Sequence, residues 1–427
     1  MSAGLAGRNL RLDALKLLCA QCIVWHHFSS YGPLARAFEQ AAPALWGWLF
    51  DYGRMAVQVF LVLGGYLAAA SLQRLAPGGA KGGTKGGTLR WRQVVWRRYL
   101  RLVGPLLAAL LLVSGAAALA GSWLAEDWVP GAPTWAQLAS HVVLLQDLLG
   151  IEALSVGVWY VAIDFQLYAL LAALFGLGSR WRLALALAPW SGKWATLLGR
   201  NLMPLGVAGL TAMSLFYANL QPGWDVAALY FFGAYGMGAL AWLAQASPAR
   251  HRVLWGVVCG VSLAVGLASV LLFRERLVLA WLTFLVVALQ PVKPQSPPAE
   301  SAKCASALPP PPLGEGWGGG CLQQTGANSC PHPHPLPEGE GISPHQIEWS
   351  PARPLQRWVW RLGGSSYGLF LTHFAVLLLA NAVVAQWGAL GSVATWAVLL
   401  VSVLLCTALG LWFTHQVERR WSAWLAR

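Results

Sequence analysis

Charge is what this chain has least of. Of 427 residues only 11% are charged, with 16 acidic side chains against 29 Lys and Arg, while 57% are hydrophobic. Mean hydropathy is +0.54. A soluble domain of this length needs far more charge, so a soluble globular fold is excluded. Cysteine is scarce as well, and the seven present give neither a disulfide framework nor a zinc-ligand spacing. The nearest approach is the CxxC pair Cys19 and Cys22, which lies inside an apolar stretch and reads as packing. Regular apolar/polar alternation is missing too, which argues against the strands of a membrane β-barrel. No cleavable signal peptide is expected, because the first apolar segment is long and no small-residue cleavage site followed by a soluble domain is present.

What is there is a series of stretches of membrane length. Ten are read, at 11–28, 55–73, 102–121, 156–177, 201–219, 225–244, 253–273, 277–292, 365–385 and 391–414. The fold class is therefore all-α: a polytopic membrane helical bundle of about ten transmembrane helices, with both termini cytoplasmic. The net charge of +13 does not mark a nucleic-acid partner, because the cations line one set of loops. Outside that set lie only Arg36, Arg54, Arg274 and Arg276, with Lys16 inside a span, leaving 24 of the 29 Lys and Arg on the cytoplasmic side, Arg11 at the first span's edge among them. Three regions follow: 1–292 with the first eight helices, a Pro/Gly-rich insertion at 293–360, and 361–427 with the last two. The insertion, with ALPPPPLGEGWGGG and PHPHPLPEGEG, has no apolar periodicity and reads as disordered. KGGTKGGT at 81–88 reads as a flexible linker.

The first span, NLRLDALKLLCAQCIVWHHF, carries Asp13, Lys16, His26 and His27. An ionisable group inside a membrane helix is costly, so it is kept mainly where it faces a cavity or a partner. Lys16 and His27 point to within about 20° of each other and stand roughly 16 Å apart along the axis. Asp13 precedes Lys16 by one turn, where it can neutralise the ammonium. The alternative is that Lys16 snorkels to the headgroups and the histidines mark the far interface.

Further along, WRQVVWRRYLRLVGP groups Arg97, Arg98 and Arg101 at i,i+3 and i,i+4, a cluster suited to phosphate or to anionic headgroups. Asp164 sits about two turns into the fourth span and requires a proton or a partner. His27 is at a compatible depth; a carboxylate on one ring nitrogen would leave the other as a base. Trp159 and Tyr168 share that span, and Trp159 also fits an interfacial aromatic belt. Gly64 and Gly65, followed by Tyr66, allow close approach of a neighbour. His373, in SSYGLFLTHF, either lines a cavity or bonds a neighbouring helix.

In order, DALK to His27, AVQVFLVLGGYL, RRYLRLVGP, VWYVAIDFQLYAL and SYGLFLTHFAV resemble the motif series of the membrane-bound acyltransferase type 3 family. The resemblance covers the chain outside the insertion. It implies an acyl-CoA-dependent O-acyltransferase of a bacterial inner membrane, with acetyl-CoA the expected donor, a glycan or glycolipid acceptor, and no metal. It implies His27 as the essential histidine and Lys16 as its cationic partner. Arg98 and Arg101, with Arg97 beside them, match the acyl-CoA-binding RxxR, and Asp164 matches a glutamate. Trp159, Tyr168, Tyr66 and His373 are the candidate substrate-lining side chains. Gly64 stands where the family has serine, Asp164 is one methylene shorter than glutamate, and Pro105 lies one residue late. The rival class is a transporter or flippase for a lipid-linked glycan, with the same charges forming a polar pathway.

Overall fold

Lipid offers a peptide backbone no hydrogen-bond partner, so apolar stretches of this length close their bonds internally as helices. The computed structural model describes residues 9–76, 89–187, 192–290 and 354–427; the linker at 81–88 and residues 293–353 of the insertion lie outside the described residues. In chain order the helices are α1 Leu10–Ser30, α2 Gly32–Ala41, α3 Pro43–Tyr52, α4 Ala56–Leu75, α5 Trp91–Ala120, α6 Trp135–Val143, α7 Val158–Leu187 and α8 Lys193–Phe216. They continue with α9 Ala228–Gln245, α10 Arg250–Leu271, α11 Glu275–Leu289, α12 Pro354–Gly364, α13 Ser366–Trp387, α14 Ser392–Phe413 and α15 Arg419–Trp424. Among the described residues there is no strand.

Over its described residues each of the ten expected stretches overlaps a helix. Among the described residues seven helical stretches are long and apolar enough to cross a membrane by length and composition: Pro43–Leu75, Trp91–Ala120, Val158–Leu185, Asn201–Leu220, Arg250–Leu271, Ser366–Trp387 and Ser392–Trp424. Outside that set stand α1, with its charged first turns and paired histidines, the glycine-rich α9, and α11, which has 15 residues. Leu111, Leu119, Leu263, Val270 and Leu404 are exposed, an apolar surface that suits lipid and not water. The chain is a multi-pass membrane helical protein.

The tightest crossing is between α4 and α9. A Cβ on Gly65 would overlap the carbonyl oxygen of Tyr235, and one on Gly238 that of Val62, so only glycine lets these backbones touch. Asn9 at the start of α1 donates to Gln290 Oε1 just past α11, 2.7 Å away, placing those two ends at one face of the bundle. Residues 354–360, which composition assigns to the insertion, form the first turns of α12 instead. That helix turns Val359 and Trp360 inward and Arg357 and Arg361 outward, and Gly363 packs against the backbone of Asp13. Proline content upstream hides this boundary.

One feature sets the depth of everything after it. Thr134 caps α6 through a reciprocal box with Gln137, and the short helix then runs back into the bundle. Tyr99 Oη donates to Val142 O at 2.9 Å, and Gln166 Nε2 to Leu144 O at 3.3 Å. Tyr99 is 21 residues before the end of α5, roughly 30 Å along the axis. Residues 135–157 therefore re-enter, and α7 begins part-way down the bundle. His141, fully buried, fastens this segment: its Nδ1–H donates to Gln137 O at 2.6 Å and its Nε2 accepts from Leu154 N at 3.2 Å.

Candidate active site

The last turns of α1 carry His26 and His27, and α13 carries His373. His373 Nδ1 faces the carbonyl oxygens of Phe370 at 2.9 Å and Leu369 at 3.2 Å. Carbonyls only accept, so Nδ1 carries the proton and Nε2 carries a lone pair. His27 Nδ1 lies 2.7 Å from that Nε2 and therefore donates to it. His27 Nε2 is then the unprotonated nitrogen, and none of the hydrogen bonds among the described residues involves it. The two rings are nearly parallel, 10° apart with centroids at 4.9 Å. His26 points elsewhere, its Nδ1–H donating to Leu49 O at 3.0 Å. Of the two readings of His373, the bond to a neighbouring helix is the one formed.

Asp164 does not pair with His27. Its carboxylate accepts from Arg98 Nη2 at 2.7 Å, and the same guanidinium lies 5.2 Å over the Tyr168 ring. The reason is depth. Because α7 starts inside the bundle, Tyr160, one turn before Asp164, meets Phe370 with ring centroids 5.3 Å apart, and Phe370 in turn lies one turn before His373. Asp164 thus sits about two turns, roughly 11 Å, below the histidine pair. A Cβ on Gly64 would stand 3.5 Å from Asp164 Oδ1 and 3.2 Å from the Tyr235 ring. The serine expected there would put its hydroxyl against the carboxylate, and its absence leaves Arg98 as the partner.

The arginine cluster divides accordingly. Arg98 turns inward with its Nε buried and unpartnered among the described residues, while Arg97 and Arg101 are exposed. Lys16 Nζ lies 3.6 Å from Asp13 Oδ1, the i,i+3 pair read from the sequence. Tyr66 donates to Gln245 Oε1 at 2.8 Å, and Gln245 in turn donates to Val287 O and Ala288 O, so Tyr66 is tied into a buried network away from the histidines. Trp159 packs on Phe231 at 5.7 Å and on Tyr160 at 6.1 Å. Cys19 is buried and Cys22 half-buried, both as free thiols. Among the described residues no three His, Cys, Asp or Glu side chains are grouped to hold a metal.

Sequence reasoning missed the His27–His373 bond and the re-entrant segment. The capping box at Thr134 and Gln137, in a stretch too long for a plain connection, is the signal that could have found the latter.

A family model described as an acyltransferase domain matches residues 9–296, α1 through α11. No curated protein and no solved structure matches the chain. The chain belongs to the membrane-bound acyltransferase type 3 family, and its activity is that of an acyltransferase.

Proposed function

We propose that this membrane acyltransferase takes an acyl group, acetyl in the simplest case, from acyl-CoA and delivers it to a hydroxyl of a cell-surface glycan or glycolipid, with His27 as general base. The observation that carries this reading is the ordered pair of bonds that leaves His27 Nε2 unprotonated. An acceptor hydroxyl at Nε2 gives up its proton as its oxygen attacks the thioester carbonyl. Collapse of the tetrahedral intermediate breaks the carbon–sulfur bond, and the imidazolium returns the proton to the departing CoA thiolate. General-base help of this kind is worth about 10² to 10⁴ in rate.

His373 is a positioning residue. It holds the tautomer of His27 and stabilises the imidazolium, the part an aspartate plays in hydrolytic triads. The excess of Lys and Arg in one set of loops supports a cytoplasmic start for α1, so Lys16 and the exposed Arg97 and Arg101 face the donor's side. They would hold the CoA phosphates by charge-assisted bonds. Arg98, held by Asp164 and Tyr168, keeps a free Nε that suits an acyl or phosphate oxygen. The insertion takes no part in the chemistry. Bacterial inner membrane is the setting this reading requires.

The test is release of CoA thiol from acetyl-CoA by detergent-solubilised protein supplied with a membrane glycan extract. Wild type releases thiol; His27→Ala, folded by gel filtration, loses at least 10²-fold, the low end for a general base. Equal release from both removes His27 from the mechanism. Binding of a lipid-linked glycan with no thiol release from any donor would favour the transporter reading.

A further inference from the structure

A second polar site lies where α8 ends and α4, α9 and α11 begin. A small cavity there is lined by Gln58, Ser214, Asn219, Tyr230, Phe231 and Arg276. Its enclosed volume is about 20 Å³, room for one water-sized group. It admits the charged tip of a ligand, while a sugar ring would remain at the mouth.

The electrostatics of this cavity are unbalanced. Arg276 stands 5.0 Å over the Tyr230 ring, with Nη2 3.5 Å from Asn219 Oδ1. Arg274, buried behind it, donates to Asn219 Oδ1, to Leu215 O at 3.2 Å and to Leu272 O at 3.4 Å. Every one of these partners is neutral, and among the described residues neither guanidinium has a carboxylate within 4.0 Å. Glu275, between them in sequence, is exposed and forms no ion pair with either. Burial and the neighbouring Arg276 push the Arg274 guanidinium below its ordinary range, as expected of two uncompensated cations. Gln58 brings an amide to the same cavity with no hydrogen-bond partner among the described residues. One lining cation, a second behind it, a free amide and a cavity closed on one side by aromatic rings make a receptor for one anion.

The cavity stands near the depth of the histidine-bearing end of α1 and is joined to it by a chain of packed rings. Gly53, five residues before Gln58, packs on His26, so the cavity lies within about 8 Å in depth of that turn of α1. Phe231 on its wall touches Trp159, which continues through Tyr160 and Phe370 to His373.

We infer that this cavity binds a single anionic group, a phosphate or carboxylate carried on the acceptor glycan, and so anchors the acceptor whose hydroxyl is presented to His27. The inference rests on the acceptor reading proposed above, and its test measures binding with no donor and no turnover, so the two can fail separately.

Saturation-transfer NMR on the full chain in phosphatidylcholine nanodiscs, with His27→Ala alongside wild type, would use glucose 1-phosphate, glucuronate and methyl glucoside as probes. Both anionic sugars bind and the neutral one binds at least about tenfold more weakly, the loss of one bond to a charged group. Arg276→Gln weakens the anionic probes by a similar factor and Gln58→Ala by less, in wild type and in the His27→Ala background alike. Nanodiscs containing phosphatidylglycerol separate two sources of the anion. Sugar binding that persists there supports the glycan as its carrier, and binding abolished there overturns the glycan in favour of a lipid headgroup. Equal affinity for methyl glucoside, or no change in both Arg276→Gln and Gln58→Ala, overturns the site.

Discussion

Replacing His373 by alanine isolates the one contact on which the assignment of His27 depends. In the resting site His27 Nδ1–H donates a neutral hydrogen bond to His373 Nε2 at 2.7 Å. When His27 takes the acceptor's proton, the same donor becomes cationic. A neutral bond contributes about 1 kcal/mol and one to a charged group about 1.5 to 3, so the transition state gains about 0.5 to 2 kcal/mol more than the ground state. At 1.36 kcal/mol per tenfold, His373→Ala lowers kcat by about 2- to 30-fold. KM for the acyl donor stays within about twofold, because the bond is strengthened only during proton transfer. The assay is thiol release across donor concentrations, with gel filtration to show the variant folded. His27→Ala, measured beside it, falls by about 10² to 10⁴. A loss in His373→Ala as deep as that in His27→Ala would mean that His373 itself handles the proton. A change below about twofold would mean that the histidine pair plays no part in the rate, and either result refutes the positioning role.

Three further outcomes follow from the packing. Asp164→Ala leaves the part-exposed Arg98 guanidinium without its carboxylate and costs about 1.5 to 3 kcal/mol, whereas the double variant Arg98→Met with Asp164→Leu recovers most of it; thermal unfolding in detergent measures both, and equal loss in single and double variants would sink the account. Gly65→Ala forces apart the α4–α9 crossing and prevents a monodisperse fold, while Gly260→Ala in α10, where a Cβ meets nothing within 4 Å, is neutral or gains up to about 1 kcal/mol; gel filtration and unfolding midpoints compare them, and two variants that behave alike would contradict the close approach. Burial holds the His141 imidazole below its ordinary value, so between that value and the ordinary 6.5 the unfolded chain binds a proton that the folded chain does not. This part of the stability is full above pH 6.5 and is lost as pH falls. The unfolding midpoint therefore drops more between about pH 7.5 and 5.5 in wild type than in His141→Gln, and equal drops would show that the re-entrant staple does not carry the effect.

The membrane-length helices are legible from hydropathy because a bilayer dictates length and composition directly, and seven of them meet that test among the described residues. The Asp13–Lys16 pair is equally legible, since helical spacing fixes it within one element. The glycine pair of α4 announces a close neighbour without saying which. At the site, motif order picks out His27, Asp164 and Arg98, and each does occupy the interior or its lining. Their partners are another matter. A span that begins at the far surface puts Asp164 two turns below it. Residues 135–157, polar and helical only over Trp135–Val143, do not register as a span, yet they carry the start of α7 inward and deliver Asp164 to Arg98.

Sequence by itself thus determined that the chain is helical, that it lives in lipid, and which rare ionisable groups it keeps there, because each of these is a property of one segment and its solvent. Tertiary structure alone decided who meets whom: His27 with His373, 346 positions away, and Asp164 with Arg98, 66 positions away. Pairing across helices depends on relative depth and rotation. Those are set by glycine crossings such as Gly65 on Tyr235 and by a re-entrant turn fastened by His141, and no local periodicity encodes them.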